Sequence, residues 1–158
     1  MCGRFTLTVN REVLLKLVPF GPPELPYKPR YNIAPAQDVL TYGAQGGNTT
    51  EYMRCGLVPF WARDVKIEYK MINARSETVN TRNAFRVSLR KKRCLILADG
   101  FYEWDKKVGT RKPFRILLKS REPFSFADLW DEWVNKRGGY PFMHDYYFCG
   151  QRSYHLGS

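Results

Sequence analysis

Apolar residues recur along the chain in short runs separated by polar or turn-forming segments, and only two stretches carry a helical spacing. Met1 to Leu7 reads as a short strand. Asn10 is a helix-capping residue ahead of Arg11 to Val18, where Leu14, Leu15 and Val18 fall on one face. Pro19 to Pro29 holds five prolines and a glycine, which predicts an extended surface loop. Val39 to Tyr42 and Tyr52 to Leu57 predict two strands around a turn at Gly46-Gly47-Asn48. Thr78 to Leu89 is the second helical stretch, with Phe85 and Leu89 one turn apart. After the basic run Arg90-Lys91-Lys92-Arg93, strands are expected at Cys94 to Ala98, Phe101 to Trp104, Phe114 to Lys119 and Phe124 to Leu129. Many strands and few helices define a mixed α+β, β-rich single domain.

The 158 residues suit one domain, and 44% hydrophobic with 26% charged residues is enough to bury a core. No uninterrupted apolar stretch has the length of a bilayer span, and the N-terminal residues lack the charged and apolar regions of a signal peptide, so a soluble, cytoplasmic protein with no membrane partner is expected (nucleoid-associated if bacterial). Cys2, Cys55, Cys94 and Cys149 contain no Cys-x-x-Cys pair, and His144 and His155 are the only histidines, so no structural zinc is expected and the thiols are read as reduced. Cys55 and Cys94 lie in apolar stretches and read as small buried hydrophobes.

Charge changes the picture more. The formal net charge is +11 and the aromatic content is 15%. Cations at Arg4, Arg30, Arg54, Arg75, Arg82, Arg86 and Arg90 to Arg93 suit a phosphate backbone, and interleaved aromatics suit exposed bases. Arg90 to Arg93 also reads as a solvated turn and is left out of the site.

Cys2 is the most distinctive chemical candidate. Removal of Met1 would leave an α-amine beside the thiol, and a 1,2-aminothiol condenses with an aldehyde and closes to a thiazolidine. By position alone the reading as an inert terminal cysteine is the favoured one. Glu103 between Tyr102 and Trp104, Asn73 in a turn and Arg75 beside Glu77 also have purely structural readings.

Five segments occur in order: Met1-Cys2-Gly3-Arg4-Phe5, Arg30-Tyr31-Asn32-Ile33-Ala34-Pro35, Gly56-Leu57-Val58-Pro59-Phe60-Trp61, Met71 to Thr78, and Asp99-Gly100-Phe101-Tyr102-Glu103-Trp104. Together they closely resemble the SRAP family of abasic-site processing proteins. The resemblance implies strands around a barrel-like core and covalent capture of abasic sites in single-stranded DNA, with no cofactor. Carried over, Cys2 is the nucleophile, Asn73 holds the sugar or amine, and Glu103 is the acid/base that opens the sugar. Arg4, Arg75 and Asn32 join the DNA-binding set, with Trp61 as a stacking or wedging aromatic. Two other readings stand beside it, a non-catalytic single-strand nucleic-acid-binding module and an N-terminal cysteine hydrolase or autopeptidase.

The family's later His-Asp-Arg-Met-Pro-like motif has no counterpart, since His144-Asp145 is followed by Tyr146-Tyr147-Phe148 and His155 lacks the Asp. Residues 1–140 are therefore read as an incomplete SRAP-like domain and residues 141–158 as a divergent or replaced tail. The C-terminal strands are expected to be missing or altered, a final strand there to remain an unpaired edge, and cross-linking to survive better than release.

Overall fold

A computed structural model describes residues 3–18, 26–43, 49–56, 58, 63–64, 66, 72–105, 112–133 and 145–148. Two units of sheet share one core. The first is a four-stranded sheet in the order β2-β1-β6-β7, from β1 (Phe5–Leu7), β2 (Arg30–Ile33), β6 (Gly100–Trp104) and β7 (Pro113–Ile116). The second is a closed barrel in the order β3-β4-β9-β8-β5, from β3 (Asp38–Tyr42), β4 (Thr50–Cys55), β5 (Arg93–Ala98), β8 (Phe124–Trp133) and β9 (Asp145–Phe148). Two helices lie outside them, α1 (Arg11–Leu17) and α2 (Asn83–Lys91). The α+β reading with a barrel-like core is what the described residues form.

The Asn10 side chain caps α1 by accepting the Val13 amide at 3.0 Å, and Glu12 and Lys16 complement the helix dipole at either end. Leu14 and Val18 enter the core, whereas Leu15 is 43% exposed and does not share their face, a correction to the expected stripe. The later helix begins at Asn83; the residues from Ser76 to Thr81 form turns instead.

The β3–β4 hairpin runs in register from Asp38 opposite Arg54 to Tyr42 opposite Thr50. Its tip at Gly46-Gly47-Asn48, and the proline-rich loop before Pro26, lie outside the described residues. In the barrel, β5 and β8 pair over six positions, from Arg93 opposite Leu129 to Ala98 opposite Phe124. The expectation of an unpaired C-terminal edge is overturned. β9 lies within the supposed tail and runs parallel to β4 and antiparallel to β8, satisfying both neighbours.

Phe126 joins sheet to barrel. Its ring meets Phe5 edge-on at 5.9 Å, Phe101 at 6.2 Å and Phe124 at 5.1 Å. Around it, Val39, Met53, Leu97 and Ile33 are almost fully buried. A smaller cluster of Ala74, Val79, Phe85 and Leu129 fastens α2 and the segment before it to β8.

A second joint is polar. Buried Asp99, between β5 and β6, accepts from Thr6 Oγ1 at 2.6 Å, the Thr8 amide at 2.6 Å, Thr8 Oγ1 at 2.5 Å and the Val9 amide at 3.1 Å. Arg115 on β7 adds an ion pair at 3.1 Å. Gly100 follows because the strands approach closely there: a Cβ would lie 2.5 Å from Leu117 Cδ2 and 2.9 Å from Thr6 Oγ1. Burial alone would raise the Asp99 pKa. The Thr6 and Thr8 hydrogen bonds and the Arg115 charge outweigh it and hold the carboxyl below its ordinary value.

A carboxyl whose pKa is depressed by folding contributes stability above its unfolded pKa of about 3.9, and that contribution is lost as pH falls through the lower folded value. Asp99→Ala should destabilise the fold by about 3 kcal/mol, because it strands several buried donors and the Arg115 charge. Asp99→Asn should lose stability less steeply than wild type between about pH 5 and pH 2. Urea titrations across that range test both statements, and an identical pH slope in Asp99→Asn would rule out the linkage.

Candidate functional site

The segments singled out in the sequence meet at the entry to β1. The ladder pairs Phe5 with Phe101 and Thr6 with Gly100, and the Tyr102 amide donates to the Arg4 carbonyl at 2.9 Å. This bond sets Arg4 beside Tyr102, so Gly3 and Glu103 each adjoin a residue of that bonded pair. Gly3 also touches two other motifs: a Cβ there would lie 3.7 Å from Ile72 Cδ1 and 3.8 Å from Pro35 Cγ. The Arg4 guanidinium donates to Asn32 Oδ1 at 2.9 Å across the β1–β2 pair. The Tyr102 hydroxyl donates to the Tyr31 carbonyl at 2.9 Å, which ties β6 to β2 over β1.

Each side chain is placed for a local reason. Alternation along β6 sends Glu103 to the same face as Phe101, opposite to Tyr102 and Trp104. Glu103 is half-buried and faces Phe114 across the β6–β7 ladder. Asn73 is also half-buried, between Ile72, which lies against Gly3, and Ala74, which is buried in the α2 cluster. Beyond it the Arg75 carbonyl accepts the amides of Thr78 and Val79 at 3.1 and 2.9 Å, a turn that leaves the Arg75 side chain exposed. No ion pair joins Arg75 to Glu77 among the described residues.

The loop after β2 is held in an uncommon conformation. Ala36 has φ of 62°, a left-handed value that costs an L-residue about 1–2 kcal/mol. Its amide donates to the Cys55 carbonyl at 2.7 Å, and the Cys55 amide donates to the Gln37 carbonyl at 2.8 Å. Arg30 donates to the Asp38 carbonyl and to Gln37 Oε1, so this cation braces the loop from within. The strain lies next to Pro35 and therefore beside Gly3.

Of the predicted site residues, Arg4, Asn32, Asn73 and Glu103 belong to segments that the fold gathers around Gly3, and Arg75 is two residues beyond Asn73. Cys2 and Trp61 lie outside the described residues, as do His144, His155 and Cys149. Tyr31 was missed: it is 65% exposed beside Asn32. Its place between Arg30 and Asn32, in a segment already singled out, was the available signal.

The model of the SOS response associated peptidase (SRAP) family matches residues 1–149. Abasic site processing protein YoqW of Bacillus subtilis (strain 168) is 47% identical over 109 residues, covering 67% of this chain and 49% of that protein. Abasic site processing protein HMCES of Mus musculus is 34% identical over 130 residues, covering 67% of this chain and 37% of that protein. A Bacteroides thetaiotaomicron crystal structure superposes with a TM-score of 0.80 at 21% identity, covering 94% of this chain and 66% of that one. A Bordetella bronchiseptica structure does so at 0.72 and 24%, covering 94% and 70%. These two likenesses concern the fold alone. The chain belongs to the SRAP family. It spans about half the length of the Bacillus relative.

Cys94 is a poor competitor for any thiol chemistry at this site. It is buried in the β5–β8 ladder, and burial pushes its thiol far above the ordinary cysteine range. Iodoacetamide at pH 8 should therefore alkylate Cys94 at least about 100-fold more slowly in the folded protein than in urea. Peptide mass mapping reads the result, and comparable rates in both states would show that the β5–β8 ladder opens.

Proposed function

We propose that this protein processes abasic sites in single-stranded DNA by capturing them covalently on Cys2. The observation that carries the reading is the convergence of four motif segments around Gly3, the residue following Cys2. The names of the relatives support the abasic site as target. The exposed Arg4–Asn32 pair, exposed Arg75 and the net charge of +11 support a nucleic-acid strand as its carrier.

The chemistry follows from the residue types. An abasic deoxyribose is mostly a closed hemiacetal, and opening it moves one proton from the C1′ hydroxyl and delivers one to the ring oxygen. Glu103 acts as that proton shuttle. Once Met1 is gone, the neutral Cys2 amine attacks the aldehyde carbon and water leaves, giving an imine. The Cys2 thiol then adds across the C=N bond, sulfur to carbon and proton to nitrogen, and closes the thiazolidine. Asn73 orients the sugar or the amine through its amide. Arg4 and Arg75 hold flanking phosphates, Asn32 holds Arg4, and Trp61 stacks on or wedges a neighbouring base.

Cys2→Ala should abolish the heat-stable cross-link to an abasic oligonucleotide while leaving an imine that borohydride traps. Denaturing electrophoresis with and without borohydride distinguishes the two adducts. A heat-stable band in Cys2→Ala without reductant would remove the thiazolidine from the mechanism.

Arg4→Ala and Arg75→Ala should weaken binding to single strands with or without a lesion. Each should flatten the log–log salt dependence by roughly 0.7. Fluorescence anisotropy at several salt concentrations measures this, and unchanged affinity and slope would make both arginines purely structural.

A further inference from the structure

The surface of α2 breaks three local rules of helix construction at once. Residues 78–93 contain six cations and no acid. Arg82, Arg86 and Arg90 recur at four-residue spacing, so like charges stack one turn above another, an arrangement that destabilises a helix. Arg82 occupies the N-cap without a side-chain capping bond, and the first turn holds no acidic residue, so a cation sits where the helix dipole disfavours it. Places where local rules fail together are where function outweighs stability.

Geometry supplies the second observation. Arg86, Arg90 and Lys91 are exposed and, with Val87, line an open groove of about 280 Å³. Val87 is 48% exposed, an apolar surface between cationic walls. The third cation of the run Arg90-Lys91-Lys92-Arg93 is not part of it. Lys92 donates to Asp131 at 2.5 Å and lies 5.1 Å from the Trp130 ring centroid, so it is spent on the barrel. The groove also has a direct backbone route to the proposed site. The Arg75 carbonyl accepts from Thr78 and Val79, the Thr78 carbonyl accepts from Arg82 at 3.0 Å, and the Arg82 carbonyl accepts from Arg86 at 3.0 Å. Exposed Arg75, Arg82, Arg86 and Arg90 thus lie along one backbone route, with one exposed acid, Glu77, between the first two.

We infer that the α2 groove is a second binding site, which holds a nucleotide of the single-stranded DNA flanking the captured position. Arg86, Arg90 and Lys91 take its phosphates and Val87 meets its base. A cationic wall alone would serve a duplex equally well. The apolar surface favours a single strand, whose bases are free to turn towards it. Arg82 to Arg90 spans about 12 Å along the helix axis, which is room for about two successive phosphates. The inference rests on the proposed reading of the chain as a single-strand binder, and it does not depend on the covalent step.

The test uses lesion-free oligothymidines, one of about six nucleotides and one about twice as long, against the full chain. Wild type should bind the longer strand at least about tenfold more tightly at low salt, with a steeper salt slope. The double variant Arg86→Gln with Arg90→Gln should bind the short strand as wild type does. On the longer strand it should lose the gain in affinity and flatten the slope by about 1.4. The Lys pair at the same positions should restore the slope, because a phosphate is met by either cation. Val87→Ser should weaken the longer complex without changing its slope. The melting temperature of the Gln pair should stay close to that of wild type, since relief of like-charge stacking is offset by loss of the dipole-complementing cation Arg90 in the last turn. Unchanged binding of the longer strand by the Gln pair would overturn the inference, as would an equal gain from a duplex of the same length. Failure of the short abasic oligonucleotide to cross-link to wild type would instead count against the proposed chemistry and leave the α2 result to be judged separately.

Discussion

The buried carboxylate of Asp99 is the constraint on which the arrangement of the site depends. It sits where the chain leaves the barrel at β5 and enters the sheet at β6, and it takes hydrogen bonds from the residues at and just beyond the C-terminal end of β1. Arg115 reaches it from β7, so one side chain fixes the relation of three strands. Glu103 lies four residues further along β6 and Gly3 three residues before Thr6. The register that brings these two segments together is therefore held at one end by Asp99 and on its core face by Phe5, Phe101 and Phe126. A buried ion is usually a weak source of net stability, but a fully hydrogen-bonded one is costly to move. Its value here is positional.

That position matters because the proposed reaction joins several groups at one atom. An amine, a thiol and a proton shuttle must be brought to one sugar carbon, and most of the gain from doing so comes from orientation. Sites set on strands are held more tightly than sites on loops, which fits Arg4, Asn32 and Glu103 lying on or beside β1, β2 and β6. The loop elements are braced individually. Ala36 is held in its left-handed conformation by the Cys55 carbonyl, and Asn73 is flanked by two residues that are each packed. The tension in the loop next to Pro35 is thus balanced by hydrogen bonds to β4 and by Arg30.

What could be read from the sequence was mostly local. Asn10 announces α1 because its cap is made three residues away, and the β3–β4 hairpin is evident because its partners are neighbours in the chain. Leu15 misled, since a short apolar run in a seven-residue helix does not say which of its members faces inward. β2 escaped because Arg30, Tyr31 and Asn32 carry no alternation, and only Ile33 is buried. β9 escaped because its pairing with β4 is parallel and reaches across about ninety residues, a contact that no local pattern encodes. For the site, motif order identified the segments, while their meeting at Gly3 is a property of the register. Asp99 stood inside a recognised motif without a role, because most of its donors come from positions 90 to 93 residues away and its cation from a different strand.

Net charge shows the same limit from the other side. A total of +11 is a statement about the field, and it does not say which cations face solvent. The fold assigns Arg30 to a loop brace, Arg115 to Asp99 and Lys92 to Asp131. Each was indistinguishable in sequence from Arg75, Arg86 or Arg90, whose side chains are exposed. Lys92 is the sharpest case: it sits in the run Arg90-Lys91-Lys92-Arg93, yet its ammonium turns to β8 and Trp130 while its neighbours remain outside. Arg115 and Lys92 face carboxylates, whereas Arg30 is held by neutral acceptors and keeps its charge. Exposed cations lie along α2 and also far from it in sequence, among them Lys16, Lys28, Lys112, Lys119 and Arg121. From Arg75 to α2 a strand would pass one exposed acid, Glu77, and then meet the exposed cations Arg82, Arg86, Arg90 and Lys91, while Asp99 and Asp131 stay buried elsewhere in the fold.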